Sequence, residues 1–196
     1  MGEKKRLGVG VISLGWMGRL HTRSYKAVAE YFPELGVEVE LVAAADPIDS
    51  VREEATGKLG FKRAYADYHE LLADPEVDIV SIASPNFLHK EIALAAIAAG
   101  KPFWIEKPMG VSAEQSREIA QAAENAGLVS AVGFNYRHTP AIEYMRTLVH
   151  EGKLGRLTNV RVWFIADYNS SPLSPLTWRA SKEKAGAGVV PDLMSH

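Results

Sequence analysis

A chain of 196 residues can hold one complete domain and part of a second, and its 47% hydrophobic and 23% charged content is that of a globular protein. A net charge of -2 gives no basic field for a polyanion, which argues against nucleic acid as a partner, and no segment has the roughly 18 apolar residues of a membrane span. The lack of cysteine excludes disulfides and thiolate zinc sites and, with no small-residue cleavage pattern after the basic start, leads us to expect a cytoplasmic protein.

Short apolar runs alternate with longer amphipathic stretches, the pattern of a parallel sheet flanked by helices. Strands are expected at residues 7–13, 37–45, 63–66, 78–83, 103–105 and 129–134. Asp67 with Glu70 and Ser112 with Gln115 have capping-box spacing, and Thr139 before Pro140 has the form of an N-cap followed by a first-turn proline. After Asn86, the residues Leu88, Ile92, Ala95 and Ala99 line one face of a helix that Gly100 ends. Beyond Phe134 the pattern changes. A helix at 140–151 and a GKLGRL turn lead into TNVRVWFIAD, whose alternation predicts a strand with one buried face, Trp163 and Phe164 packing the sheet. The Ser- and Pro-rich run 168–177 is expected to be a loop. The fold class is therefore α/β, with a doubly wound parallel sheet in residues 1–134 and the start of a second α/β domain in residues 135–196.

The stretch SLGWMG, Ser13 to Gly18, follows the first strand and opens a long helix, which is the setting of a dinucleotide-binding G-x-G-x-x-G turn with Ser13 in the first glycine's place. Gly15 lets backbone approach a pyrophosphate, Gly18 lets helix pack closely on strand, and the helix start at Trp16 and Met17 offers N–H groups to an anion. Asp46 ends the second strand in VAAADP. There it can accept hydrogen bonds from ribose hydroxyls and repel a 2′-phosphate, which favours NAD over NADP; the alternative is that it caps the next helix.

Three further stretches fall at strand ends on the same edge: SPNFLH, EKP and NYR. Ser84, Asn86, His89, Glu106 and Lys107 are thereby candidates for cofactor contact, with Asn86 equally able to cap the helix that follows it. Lys107, directly after a buried strand, is a partly desolvated ammonium able to donate to a substrate oxygen or to give up its proton. Tyr136, Arg137, Trp178 and Arg179 have the stacking and hydrogen-bonding character that sugars require. His21 is taken as structural, and the scattered histidines indicate no metal site.

The order SLGWMG, ADP, SPNFLH, AGKPFWIEKP, GFNYR, a G-x-x-G turn and AGAGVVPDLMSH resembles the family of glucose-fructose oxidoreductase and inositol dehydrogenase over residues 7–196. NSSPLSPLTWR resembles more particularly the inositol and levoglucosan dehydrogenases. The resemblance implies a Rossmann domain followed by an α/β domain on a largely antiparallel sheet. It further implies an NAD(P)-dependent oxidoreductase of sugars or polyols, homo-oligomeric as a dimer or tetramer, with Lys107, Asp192 and His196 as its catalytic set. Ser13, Ala187, Pro191 and Met194 depart from the family pattern, which bears on substrate preference more than on reaction type.

The chemistry of the residues agrees. Asp192 and His196, four apart, would share a helix face, and oxidising a secondary alcohol needs a base that titrates near working pH, the part expected of His196. Lys107 would stabilise the developing charge on the same oxygen, and Asp192 would orient substrate or histidine. Two other readings use the same fold: a non-catalytic regulator that binds NAD and a sugar, and a lyase or glycosidase that oxidises its substrate transiently. Because the chain stops within the expected active-site helix, it is expected to be truncated, with the natural protein continuing beyond His196.

Overall fold

The computed structural model describes residues 5–165, 167 and 171–196. Six strands, β1 (Lys5–Ile12), β2 (Val37–Ala45), β3 (Arg63–Tyr65), β4 (Ile79–Ile82), β5 (Phe103–Ile105) and β6 (Ser130–Val132), form one sheet in the order β3-β2-β1-β4-β5-β6. Every neighbouring pair is parallel. The strand order reverses between β1 and β4, so the segments leaving these two carboxyl ends diverge and open the crevice where such sheets take ligands.

Strands covered on both faces need apolar residues at successive positions, and β1, β2 and β4 supply them. Val9, Val11, Leu41, Ala44 and Phe61 pack beneath α1 (Trp16–Tyr31) and α2 (Asp49–Glu54). On the second side Val42, Val80, Ile82 and Ile105 pack with Leu71 of α3 (Tyr68–Ala73), Ile92 of α4 (Asn86–Ala98) and Ile119 of α5 (Ala113–Asn125). Ser112 caps α5 by accepting from the Gln115 N–H, while the Gln115 side chain accepts from Val111 N–H, so the box closes one residue earlier than its standard form. At α3 the Asp67 carboxylate accepts from His69 rather than from Glu70.

Helix α4 does not bury the stripe its spacing predicts. Its buried residues are Asn86, His89, Ile92, Ala93 and Ala96, while Leu88 and Ala95 are only partly covered and Ala99 is exposed. The reason is His89, which is wholly buried between two carbonyls: Nδ1 lies 2.8 Å from Pro108 O and Nε2 2.8 Å from Ser84 O. The ring thus joins the segment after β4 to the segment after β5 and rotates the apolar stripe around itself. Burial pushes its pKa below the ordinary histidine value, against the pull of the two carbonyls.

Thr139 and Pro140 do open α6 (Pro140–His150), but the Thr139 hydroxyl bonds Tyr136 O instead of capping the helix. The alternating stretch 158–165 is a correction to the sequence reading. It finds no strand to pair with among the described residues, its backbone is irregular, and Val160, Val162, Trp163 and Ile165 are exposed. No antiparallel sheet forms among the described residues. Tyr168, Asn169 and Ser170, the start of the expected loop, lie outside them. The chain ends through two short helices, α7 (Lys182–Ala185) and α8 (Val189–Asp192). Among the described residues no helix is long and apolar enough to cross a membrane.

Replacing His89 removes a buried ring and, since a neutral imidazole carries a single N–H, strips one of the two facing carbonyls of its donor. His89→Ala should lower unfolding stability by about 3 kcal/mol. Urea denaturation reads this as a lower midpoint at unchanged slope; an unshifted midpoint would show that the ring does not hold the two segments together.

Candidate active site

The turn between β1 and α1 is shaped by two close approaches. Ser13 adopts φ of 70°, the left-handed region that glycine occupies at this place in the standard fingerprint. Gly18 lies so near that a Cβ on it would stand 2.0 Å from Ser13 O, so only glycine lets α1 pack there. Gly15 faces open space, with nothing within 4 Å of where a Cβ would be. No side chain caps α1 and no acidic residue stands in its first turn, which leaves those N–H groups to an anion.

Asp46 stands beside this turn at the end of β2, only 7% exposed. One carboxylate oxygen accepts from Leu14 N–H at 3.0 Å and the other from Ile48 N–H at 3.1 Å. The capping alternative fails, since Ile48 occupies the N-cap of α2. Across the crevice the Ser84 hydroxyl is buried without a hydrogen-bond partner, an arrangement that costs free energy unless a ligand supplies one. An open glycine at an uncapped helix start and an orphaned hydroxyl just past the end of the neighbouring β4 fit a pyrophosphate-bearing dinucleotide. Asn86 is buried as the first residue of α4, with Pro85 in the N-cap place, so it is no cap either. Trp16 is strongly exposed on α1 and Met17 partly so. His89 has no exposed surface, and each of its ring nitrogens faces a backbone carbonyl at 2.8 Å.

Lys107 leaves β5 at the same edge. Its Nζ donates to Asp192 O at 2.6 Å and to Asp192 Oδ1 at 2.9 Å, which leaves one of its three protons for another acceptor. The pair is largely shielded, the lysine side chain being 17% and the aspartate 26% exposed. His196 does not share a helix with Asp192, because α8 ends there and residues 193–195 form a turn. Its ring instead rests edge-on against Tyr136 and Phe134, at centroid distances of 4.6 and 6.3 Å. Burial first, and then the charge of Lys107, hold the His196 pKa below the ordinary histidine value, with Glu106 and Asp192 opposing. Its Nδ1 is buried without a hydrogen-bond partner.

The sequence reading missed what stands behind Lys107. His21, taken as structural, contacts Glu106 Oε1 through Nε2 and Ser81 Oγ through Nδ1, both at 2.8 Å, and Tyr25 OH joins Ser81 at 3.1 Å. Glu106 is thus held by a polar chain running under the sheet edge. The one signal was that His21 lies three residues past Gly18, on the inner side of α1. Trp178 and Arg179 stack on each other, with the guanidinium 4.3 Å above the ring, and Trp178 meets Phe87 of α4 edge-on at 6.5 Å. Arg137 is exposed in the turn before α6, and Tyr136 also contacts Phe164 at 5.4 Å. Among the described residues no group of three or more histidines and acids is placed to hold a metal.

The family model described as an oxidoreductase family with an NAD-binding Rossmann fold matches residues 7–134, and the GFO/IDH/MocA C-terminal domain matches residues 142–196. The chain belongs to the GFO/IDH/MocA oxidoreductase family. Levoglucosan dehydrogenase from Pseudarthrobacter phenanthrenivorans is 37% identical over 195 residues, covering 98% of this chain and 49% of that protein. The 1,5-anhydro-D-fructose reductase of Ensifer adhaerens is 38% identical over 137 residues, 70% of this chain and 40% of its own length. A solved structure of levoglucosan dehydrogenase with NADH and levoglucosan superposes with a TM-score of 0.88 at 33% identity, covering 96% of this chain and 51% of that one. The chain therefore spans about half the length of the curated relatives it matches.

The two fingerprint glycines separate packing from binding. Gly18→Ala should destabilise the fold by about 2 kcal/mol through its clash with Ser13 O. Gly15→Ala should cost under about 1 kcal/mol yet weaken NADH binding, since its Cβ enters the space a pyrophosphate needs. Thermal unfolding and NADH fluorescence titration of both variants check this; the opposite ranking in either assay contradicts it.

Proposed function

We propose that the protein is an NAD-dependent oxidoreductase of the secondary alcohol of a cyclic polyol, a sugar or a sugar derivative. The observation that carries the reading is one cluster, Lys107 bound to Asp192 with His196 beside them, at the carboxyl edge of a sheet that fits a dinucleotide. In our reading residues 1–134 form the NAD-binding domain and 135–196 begin the substrate domain; the family matches at 7–134 and 142–196 support that division. Ser13, Gly15, Trp16, Met17, Gly18, Asp46, Ser84, Asn86 and Glu106 are the residues proposed to hold the cofactor. The buried negative charge of Asp46 supports NAD over NADP, because it disfavours a second anion at the strand end.

When bound, NAD supplies the hydride acceptor. His196, kept neutral by burial and by the neighbouring ammonium, accepts the hydroxyl proton. Lys107 directs its remaining N–H at the same oxygen and stabilises the negative charge that develops there, while Asp192 fixes the ammonium in place. Tyr136 holds the imidazole edge-on. The substrate class is supported by the relatives, a levoglucosan dehydrogenase and an anhydrofructose reductase.

Assays of cyclitols, aldoses and anhydrosugars, followed by NADH absorbance, test this in the whole protein. Turnover of at least one is expected, and Lys107→Ala should lower kcat/KM at least about 100-fold. Below its pKa His196 is protonated and cannot accept, so oxidation should rise with pH through a midpoint under the ordinary histidine value of 6.5. Tight NADH binding with no turnover across the panel, or an acid-limb midpoint above that value, would overturn the reading.

A further inference from the structure

Two arginines border the carboxyl ends of β1 and β2, and both are held in the same manner. Arg19 donates through Nε to Leu14 O at 3.0 Å and pairs with Glu54 of α2. Arg52 donates through Nη1 to Asp46 O at 2.8 Å and pairs through Nη2 with Asp49, also of α2. Each guanidinium is therefore fixed to a backbone carbonyl of the proposed cofactor edge and covered by one acid from the same helix.

We infer that Asp49, by occupying Arg52, sets the discrimination against a 2′-phosphate at this edge. The inference rests on the NAD-dependent reading and adds a determinant to it. Asp46 alone is a weak discriminator. Its carboxylate is buried, and its two oxygens already take the N–H groups of Leu14 and Ile48, so much of its charge is spent on fixing the turn. Arg52 is anchored to the carbonyl of that same residue, which puts a guanidinium at the strand end where the adenosine ribose of a dinucleotide lies. A planar guanidinium is the side chain best suited to a phosphate, offering two parallel N–H groups.

Asp49 is what keeps it from that task. The Arg52 side chain is 22% exposed and Asp49 87% exposed. An exposed pair of this kind contributes little to stability and is easily parted. While present, however, the carboxylate cancels the guanidinium charge and places another negative charge where a phosphate would have to sit. NAD, with a neutral 2′-hydroxyl, loses nothing by this. NADP meets a cation already neutralised and two acids. The edge is thus one carboxylate away from accepting NADP, and removing that carboxylate should convert Arg52 from a helix-pairing residue into a 2′-phosphate ligand.

The test is fluorescence titration of the protein with NADH and with NADPH, on the unaltered chain, Asp49→Asn, and Asp49→Asn with Arg52→Ala. The unaltered chain is expected to prefer NADH. Asp49→Asn should tighten NADPH about tenfold while NADH stays within about twofold, and the added Arg52→Ala should erase the gain. Unchanged NADPH affinity in Asp49→Asn, with NADH bound as before, overturns the inference and leaves the NAD reading standing. A gain that survives loss of Arg52 overturns it as well. Failure of the unaltered chain to bind NADH overturns the NAD reading and this inference with it.

Discussion

An ammonium group at the edge of a buried parallel sheet has to be satisfied, and in this protein Asp192 satisfies that of Lys107. The lysine leaves β5 where the main chain has just come out of the core, and its side chain is too shielded to rely on water. Binding both the carbonyl and the carboxylate of one residue brings the last turn of the chain onto the sheet. His196 follows four residues later, and its ring is steadied by Tyr136 and Phe134. The local architecture of the candidate site follows from that one contact.

The electrostatics follow from the same placement. Burial first, and then the charge of Lys107, bias the half-buried His196 imidazole toward its neutral form. A neutral imidazole and a charged lysine near one oxygen are the complementary pair that proton removal from an alcohol requires. The acids of the site, Glu106 and Asp192, oppose the bias. Glu106, adjoining Lys107 in sequence, is fastened from below through His21 and Ser81, which keeps this counter-charge in place.

Much of this was legible in the sequence because apolar periodicity reports burial directly. The bounds of β2 and β5 coincide with the expected ones: residues 41–45 of β2 form one unbroken buried run, and in β5 Phe103 and Ile105 are buried on either side of an exposed Trp104. The stretch 158–165 has an equally clear alternation yet forms no strand among the described residues, because a strand needs a partner and periodicity names none. The packing of His89 was hidden for a related reason. A histidine near a strand end has the chemistry of a ligand-binding residue, and only packing shows that its ring lies buried between two carbonyls. His21 was undervalued and Arg52 overlooked because their partners, Glu106 and the Asp46 carbonyl, are brought to them by sheet topology. Spacing along one helix carries no record of such contacts. Asp192 and His196 were expected to be neighbours through a shared helix; each meets the Lys107 edge, but by separate contacts.

The central claim is that Lys107 and Asp192 work as a single unit. A double-mutant cycle of Lys107→Ala and Asp192→Ala, read in kcat/KM of the whole protein on its best polyol or sugar substrate, measures this directly. The account predicts strong non-additivity, with the double variant little worse than the poorer single one and a coupling of at least about 1 kcal/mol. Losses that simply add would contradict it, because each residue would then act without the other.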